Sequence, residues 1–144
     1  MKNYSILIPI HNEEKFIPDL LNSLTYFIER GHEIIVIDDG STDRSKEYLR
    51  NFGNINLVSI ITNKGKGYAL RAGLQRASYK RIIIFDGDME LHPSEIIKLM
   101  ILDKENGRLA AMGYRFRKLN LFRSRFDFGN FIFTTFFNIL FNTN

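Results

Sequence analysis

The sequence contains no cysteine in 144 residues, which excludes disulfides and thiolate metal sites and suits a reducing compartment. Long apolar runs are missing too. The first covers only six residues, Ser5–Ile10, before the polar His11, Asn12 and Glu13, which argues against a signal peptide. Acidic residues are scarce at one end: residues 114–144 hold five basic side chains and a single acid, Asp127, whereas residues 1–113 hold 15 of each sign. The whole net charge of +4 therefore belongs to the tail. Basic residues are few, the body is neutral and no nucleic-acid motif is present, so nucleic acid is not the expected partner. What is there, with 44% hydrophobic residues, is enough for one globular core.

Short β-branched runs at 5–8, 33–37, 56–61 and 81–85 read as buried strands, because they are apolar without alternation. Amphipathic stretches separate them. The first places Phe16, Ile17, Leu20, Leu21, Leu24, Phe27 and Ile28 on one helical face, holds Pro18 near its first turn and stops at Gly31. Further helices are predicted over about 44–52, from Gly67 to Ala77, and from Pro93 to near Gly107. This order predicts an α/β fold, a mostly parallel sheet with helices on both faces that binds ligands beyond the carboxyl ends of its strands.

Three strands run directly into polar clusters: Pro9-Ile10-His11-Asn12-Glu13, Asp38-Asp39-Gly40-Ser41-Thr42-Asp43 and Asp86-Gly87-Asp88-Met89-Glu90. Parallel strands put these clusters on one edge, so Glu13, Asp38, Asp39, Asp86, Asp88 and Glu90 are expected around one crevice. So many carboxylates repel one another unless a cation neutralises them. Asp86 and Asp88 flank a glycine, and Glu90 repeats the spacing, so the three are candidate ligands of a hard divalent cation that keeps positions open for phosphate oxygens. Asp-Gly after a strand is also ordinary turn chemistry, and Ser-Thr-Asp before a helix ordinary capping; the repeated placement at strand ends favours a site. His11 and His92 alone read as local structure. Asn63-Lys64-Gly65-Lys66-Gly67 opens a helix and is either an anion-facing loop or a solvated one; it lacks the Gly-Lys-Ser/Thr of a Walker motif.

Taken in order, residues 8–14, 35–43, 63–67 and 85–88 resemble the family 2 glycosyltransferases of GT-A fold. Gly113-Tyr114-Arg115-Phe116 and residues 123–131 are similar to the branch that makes polyprenyl-phosphate sugars, dolichol-phosphate mannose and glucose synthases among them. The resemblance implies that Pro9, His11, Glu13 and Lys66 line a nucleotide pocket, that Asp39 meets the base or ribose, and that Asp86, Gly87 and Asp88 hold metal and diphosphate. It makes Asp88 and Arg115 the catalytic candidates, Arg115 facing the phosphates, and Mg2+ or Mn2+ the cofactor. It also implies a nucleotide-sugar-binding core over 1–113 and a basic, aromatic, acceptor-side tail over 114–144.

The implied activity is inverting transfer of a sugar from a nucleotide-diphosphate sugar to a polyprenyl phosphate. An acceptor phosphate is already ionised and needs no general base, which fits a chain whose only carboxylate after Glu105 is Asp127. Arg117, Arg123 and Arg125 would then face the acceptor phosphate or a membrane surface. The aromatic stretch 126–141 is too short for the about 20 residues of a spanning helix, so the expected location is peripheral, on the cytoplasmic face of the membrane. Family members continue beyond the point matching Asn144. The alternative is therefore a nucleotide-sugar-binding piece without turnover, its acceptor site completed by a missing C-terminal segment, a partner chain or a second copy.

Overall fold

The computed structural model describes residues 2–100. In chain order it contains β1 (Ser5–Ile10), α1 (Ile17–Ile28), β2 (Glu33–Asp39), α2 (Ser45–Arg50), β3 (Asn56–Ile60), α3 (Lys66–Leu74), β4 (Ile82–Ile84), a 3-10 turn (Pro93–Glu95) and α4 (Ile96–Leu99). The fourth helix, expected from Pro93 to near Gly107, is instead a 3-10 turn followed by α4, which ends at Leu99 with Met100 at φ −77°, ψ 38°. Gly107 and the tail with Arg115, Arg117, Arg123 and Arg125 lie outside the described residues.

The four strands form a parallel sheet in the order β3-β2-β1-β4. Strand alternation divides its two faces between two cores. Ile6, Ile8, Ile10, Ile34 and Val36 pack with Leu20, Leu24 and Phe27 of α1, Leu49 of α2 and Ile96 of α4. Leu7, Ile35 and Ile37 point the other way, onto Ala69 of α3. Helices therefore cover both faces, as the pattern predicts. Ile6, Leu7 and Ile8 are wholly buried, and each such side chain removed from water contributes about 1.5–3 kcal/mol.

Boundaries differ from the sequence expectation in ways that matter for the site. Pairing carries β1 on to Ile10 and β2 on to Asp39, because Pro9 sits opposite Ile37 and Ile10 opposite Asp38. α3 starts at Lys66, since Gly65 leaves the loop at φ 87° and the helix begins directly after it, and it ends at Leu74, short of Ala77. Ile61, expected at the end of a buried strand, lies past the last β3 pair and is 94% exposed.

At the amino ends of the strands a single carboxylate ties three segments together. Glu33 accepts hydrogen bonds from Ser5 Oγ, from Ser78 N–H and Oγ–H at 2.8 Å each, and from Asn56 Nδ2 at 3.0 Å. Ser5 Oγ in turn accepts from Tyr79 N–H. Burial raises the pKa of Glu33, and the hydrogen bonds from Ser5, Ser78 and Asn56 outweigh it, holding the group below its usual 4.5. A carboxylate depressed on folding stabilises the protein above its unfolded value and loses that contribution as pH falls through the folded one. Glu33→Gln, which turns an amide donor toward donors, should cost about 1–3 kcal/mol at pH 7. The deficit relative to the parent should shrink below pH 4 in thermal melts taken across pH; an equal deficit at both pH values would contradict this role.

Candidate active site

Pro9 decides where the sheet opens. Ser5 N–H donates to the Arg81 carbonyl and Phe85 N–H donates to the Leu7 carbonyl, so the odd residues of β1 turn their peptide groups toward β4. Pro9 is next in that series and has no N–H to offer. Pairing of β1 with β4 stops at Leu7–Ile84, while pairing with β2 runs on to Ile10. The gap falls where the strand order reverses direction, the place where open parallel sheets bind ligands.

Gly87 fills the base of this gap. A Cβ at position 87 would lie 2.5 Å from Ile10 Cγ2 and 3.3 Å from Ile8 Cγ2, so only glycine lets the segment after β4 lie against β1. Gly40 does the same for the loop after β2: it sits at φ 69°, and a Cβ there would come within 2.5 Å of Asn63 N. The result is a cleft of about 250 Å³ lined by Pro9, Ile10, His11, Glu13, Asp39, Asn63, Gly65, Lys66, Ala69, Asp86, Gly87 and Asp88. Pro9, His11, Glu13, Asp39, Lys66, Asp86, Gly87 and Asp88 are all expected there from the sequence, and the fold brings them together.

Two expected acids are not part of it. Asp38 is fully buried, with Oδ1 accepting from Ser41 N–H at 2.9 Å and Oδ2 without a partner among the described residues, because alternation along β2 turns it to the face opposite Asp39. Glu90 is exposed and outside the lining. The extended spacing that would have repeated from Asp88 is broken at Met89, whose φ is 56°. Sequence patterns also give no sign of the bonds that join the loops. Asn12, itself at φ 59°, accepts from Thr42 N–H at 2.8 Å and donates its own N–H to Ser41 Oγ; Glu13 N–H donates to the buried Ser45 Oγ. Asp43 accepts from Glu14 N–H and Ser45 N–H, and although burial pushes its pKa up, these hydrogen bonds hold it below the usual range.

The Asp39 carboxylate, 4% exposed, accepts from Lys64 N–H at 2.9 Å and Gly65 N–H at 2.8 Å, so it fixes the loop that starts α3. His11 Nδ1 lies 2.9 Å from the Asp39 carbonyl oxygen. Opposite, the Lys66 ammonium is ion-paired to Asp86 Oδ1. The cleft thus has a carboxylate wall, Asp86 and Asp88, facing a cationic one, Lys66 at the positive end of a helix. Among the described residues no three acidic or histidine side chains form a ready cage. Two carboxylates in an open cleft fit a hard divalent cation that takes its remaining ligands from water and phosphate oxygens, the usual manner of Mg2+.

A model of the glycosyl transferase family 2 matches residues 5–142. The chain belongs to that family. The undecaprenyl-phosphate 4-deoxy-4-formamido-L-arabinose transferase of Proteus mirabilis (strain HI4320) is 32% identical over 127 residues, covering 83% of this chain and 39% of the relative. The chain thus spans about two fifths of the curated relatives it matches. S. aureus TarS 1-349 in complex with UDP-GlcNAc superposes with TM-score 0.57 at 33% identity, over 68% of this chain and 29% of that one. Glucosyl-3-phosphoglycerate synthase from Mycobacterium tuberculosis, with Mn2+, UDP and phosphoglyceric acid, gives TM-score 0.59 at 28% identity, over 68% and 37%. The sheet order and these likenesses bear out the GT-A fold.

In this family 2 cleft Glu13 bears the repulsion that the loops create. Burial raises its pKa above the usual 4.5, and the negative charges of Asp88 and Asp43 raise it further. An acid raised on folding costs stability once ionised, so its favourable contribution is present at low pH and lost as pH rises through the folded value. Glu13→Gln should therefore raise the melting temperature at pH 7, with the gain vanishing at pH 4; a lower melting temperature at pH 7 would contradict the crowding.

Proposed function

We propose that this chain carries the donor half of a transferase that moves a sugar from a nucleotide-diphosphate sugar to a polyprenyl phosphate, with inversion at the anomeric carbon. The observation that carries the reading is the cleft between β1 and β4, with Asp86 and Asp88 on one side and Lys66 on the other. A diphosphate bound with a dication needs both kinds of wall. The likeness to undecaprenyl-phosphate transferases supports the acceptor class, and the UDP and Mn2+ complexes of structural relatives support the donor and the metal.

Asp86 and Asp88 would hold Mg2+ or Mn2+, whose charge stabilises the departing diphosphate. Gly87 lets both carboxylates sit against β1 at the level of the donor phosphates. Asp39 and the strand-end residues Pro9 and His11 line the nucleoside side of the cleft. The acceptor phosphate oxygen attacks the anomeric carbon, a new C–O bond forms, the bond to the diphosphate breaks, and the nucleoside diphosphate leaves with its electron pair. No proton is removed from the acceptor, so no general base is required. Arg115 is assigned to the phosphates, and Arg117, Arg123 and Arg125 to the acceptor phosphate and an anionic cytoplasmic leaflet, each basic side chain contributing about 1 kcal/mol near such a surface.

Two experiments test the reading. Asp88→Asn should abolish metal-dependent UDP binding in calorimetry and lower transfer of radiolabelled sugar from a UDP-sugar to polyprenyl phosphate by at least about 100-fold, with the melting curve retained. Unchanged binding, or label transferred without polyprenyl phosphate, would contradict it. Neutralising Arg123 and Arg125 together should weaken sedimentation of the chain with anionic vesicles, and neutral vesicles should bind poorly; equal sedimentation of parent and variant would remove the membrane assignment. No helix among the described residues is long and apolar enough to cross a membrane.

A further inference from the structure

The Lys66–Asp86 pair joins a movable tip to two fixed bases. Beneath Lys66 the backbone is pinned: Gly65 N–H donates to Asp39 Oδ2 at 2.8 Å and to Asn63 Oδ1 at 2.9 Å, and Lys64 N–H donates to Asp39 Oδ1. Beneath Asp86 the chain is wedged by Gly87 against Ile10. The paired side chains themselves are open, 57% exposed for Lys66 and 45% for Asp86. The four-carbon stem of a lysine can therefore carry its ammonium away from Asp86, toward an anion in the same cleft, without any change in the loop.

We infer that Lys66 is a displaceable counter-ion that occupies Asp86 in the nucleotide-free protein and weakens cation binding until a nucleotide diphosphate is present. This rests on the donor-site reading above. While the ammonium holds Asp86 Oδ1, a dication loses one carboxylate oxygen and is repelled by a like charge at close range. A diphosphate offers Lys66 a stronger partner, and its departure uncovers Asp86 for the cation that accompanies the same diphosphate. Metal and nucleotide then promote each other's binding by equal factors, as linkage requires. An exposed ion pair is weak, so the effect is modest in size but directional.

The test is Mn2+ affinity of the full chain, read by electron paramagnetic resonance with and without UDP. Lys66→Gln should bind Mn2+ alone about fivefold more tightly than the parent, and the enhancement of Mn2+ affinity by UDP should fall by a similar factor. Lys66→Arg, which keeps the charge, should bind Mn2+ alone no more tightly than the parent. A lysine that only supports the fold or only binds phosphate would leave Mn2+ affinity without UDP unchanged or weaker in Lys66→Gln, and that result overturns the inference while parental UDP and Mn2+ binding leaves the donor site standing. Equal tightening in Lys66→Arg also overturns it, because charge would not be the cause. Failure of UDP to bind the parent with Mn2+ present overturns the donor site and this inference together.

Discussion

The absent N–H of Pro9 is the constraint on which the site depends. β1 is an interior strand of the sheet, yet its pairing with β4 ends two residues before Pro9 while its pairing with β2 continues to Ile10. The sheet is thereby held closed on one side of β1 and left open on the other. Gly87 then occupies the opening at a distance from Ile10 that no side chain would permit. The positions of Asp86 and Asp88 are a consequence of that contact: they stand on either side of a residue whose place is set by β1, not by the acids themselves.

Around this opening the charges are arranged by alternation and by loop hydrogen bonds. Of the two adjacent acids ending β2, Asp39 turns to the α3 side and spends its carboxylate on two backbone N–H groups, which aims Lys66 at the cleft. Asp38 turns to the other side and is buried. Cross-links from Asn12, Glu13 and Glu14 to Ser41, Thr42, Asp43 and Ser45 make the two strand-end loops one unit. The cost of that closeness falls on Glu13, whose ionisation is opposed by burial and by Asp88 and Asp43. A cation held by Asp86 and Asp88, as proposed, would relieve part of that opposition, so the same crowding would favour its binding.

Much of this is legible in the sequence, and the unreadable remainder has a common cause. Buried strands announce themselves by unbroken apolar runs, and a parallel sheet gathers the loops at their carboxyl ends, so strand order brings His11, Asp39 and Asp88 to one edge, while the sequence leaves the Lys66 loop open between an anion-facing and a solvated reading. The family resemblance assigns those residues to a donor site without reference to their geometry, and the family match over residues 5–142 bears out the family. Strand order and motif are silent on anything that depends on a single backbone angle or on a partner distant in the chain. Spacing groups Glu90 with Asp88, but a left-handed residue at Met89 breaks the extended repeat, and Glu90 stands outside the cleft lining with its backbone N–H donating to Asp88 Oδ1. Asp38 and Asp39 look alike in sequence and differ only in which face the last strand pair gives each. The Glu33 knot joins residues 5, 33, 56 and 78, a grouping that no local pattern contains.

On the proposed function, nucleotide and divalent cation meet in the cleft opened beside Pro9. Paramagnetic broadening of backbone amide resonances by Mn2+ in the presence of UDP locates the ion directly. Loss of signal should centre on residues 86–88 with a second maximum at 65–67, while the Glu33 end of the sheet stays sharp. Broadening centred elsewhere, or none when UDP is bound, would contradict it.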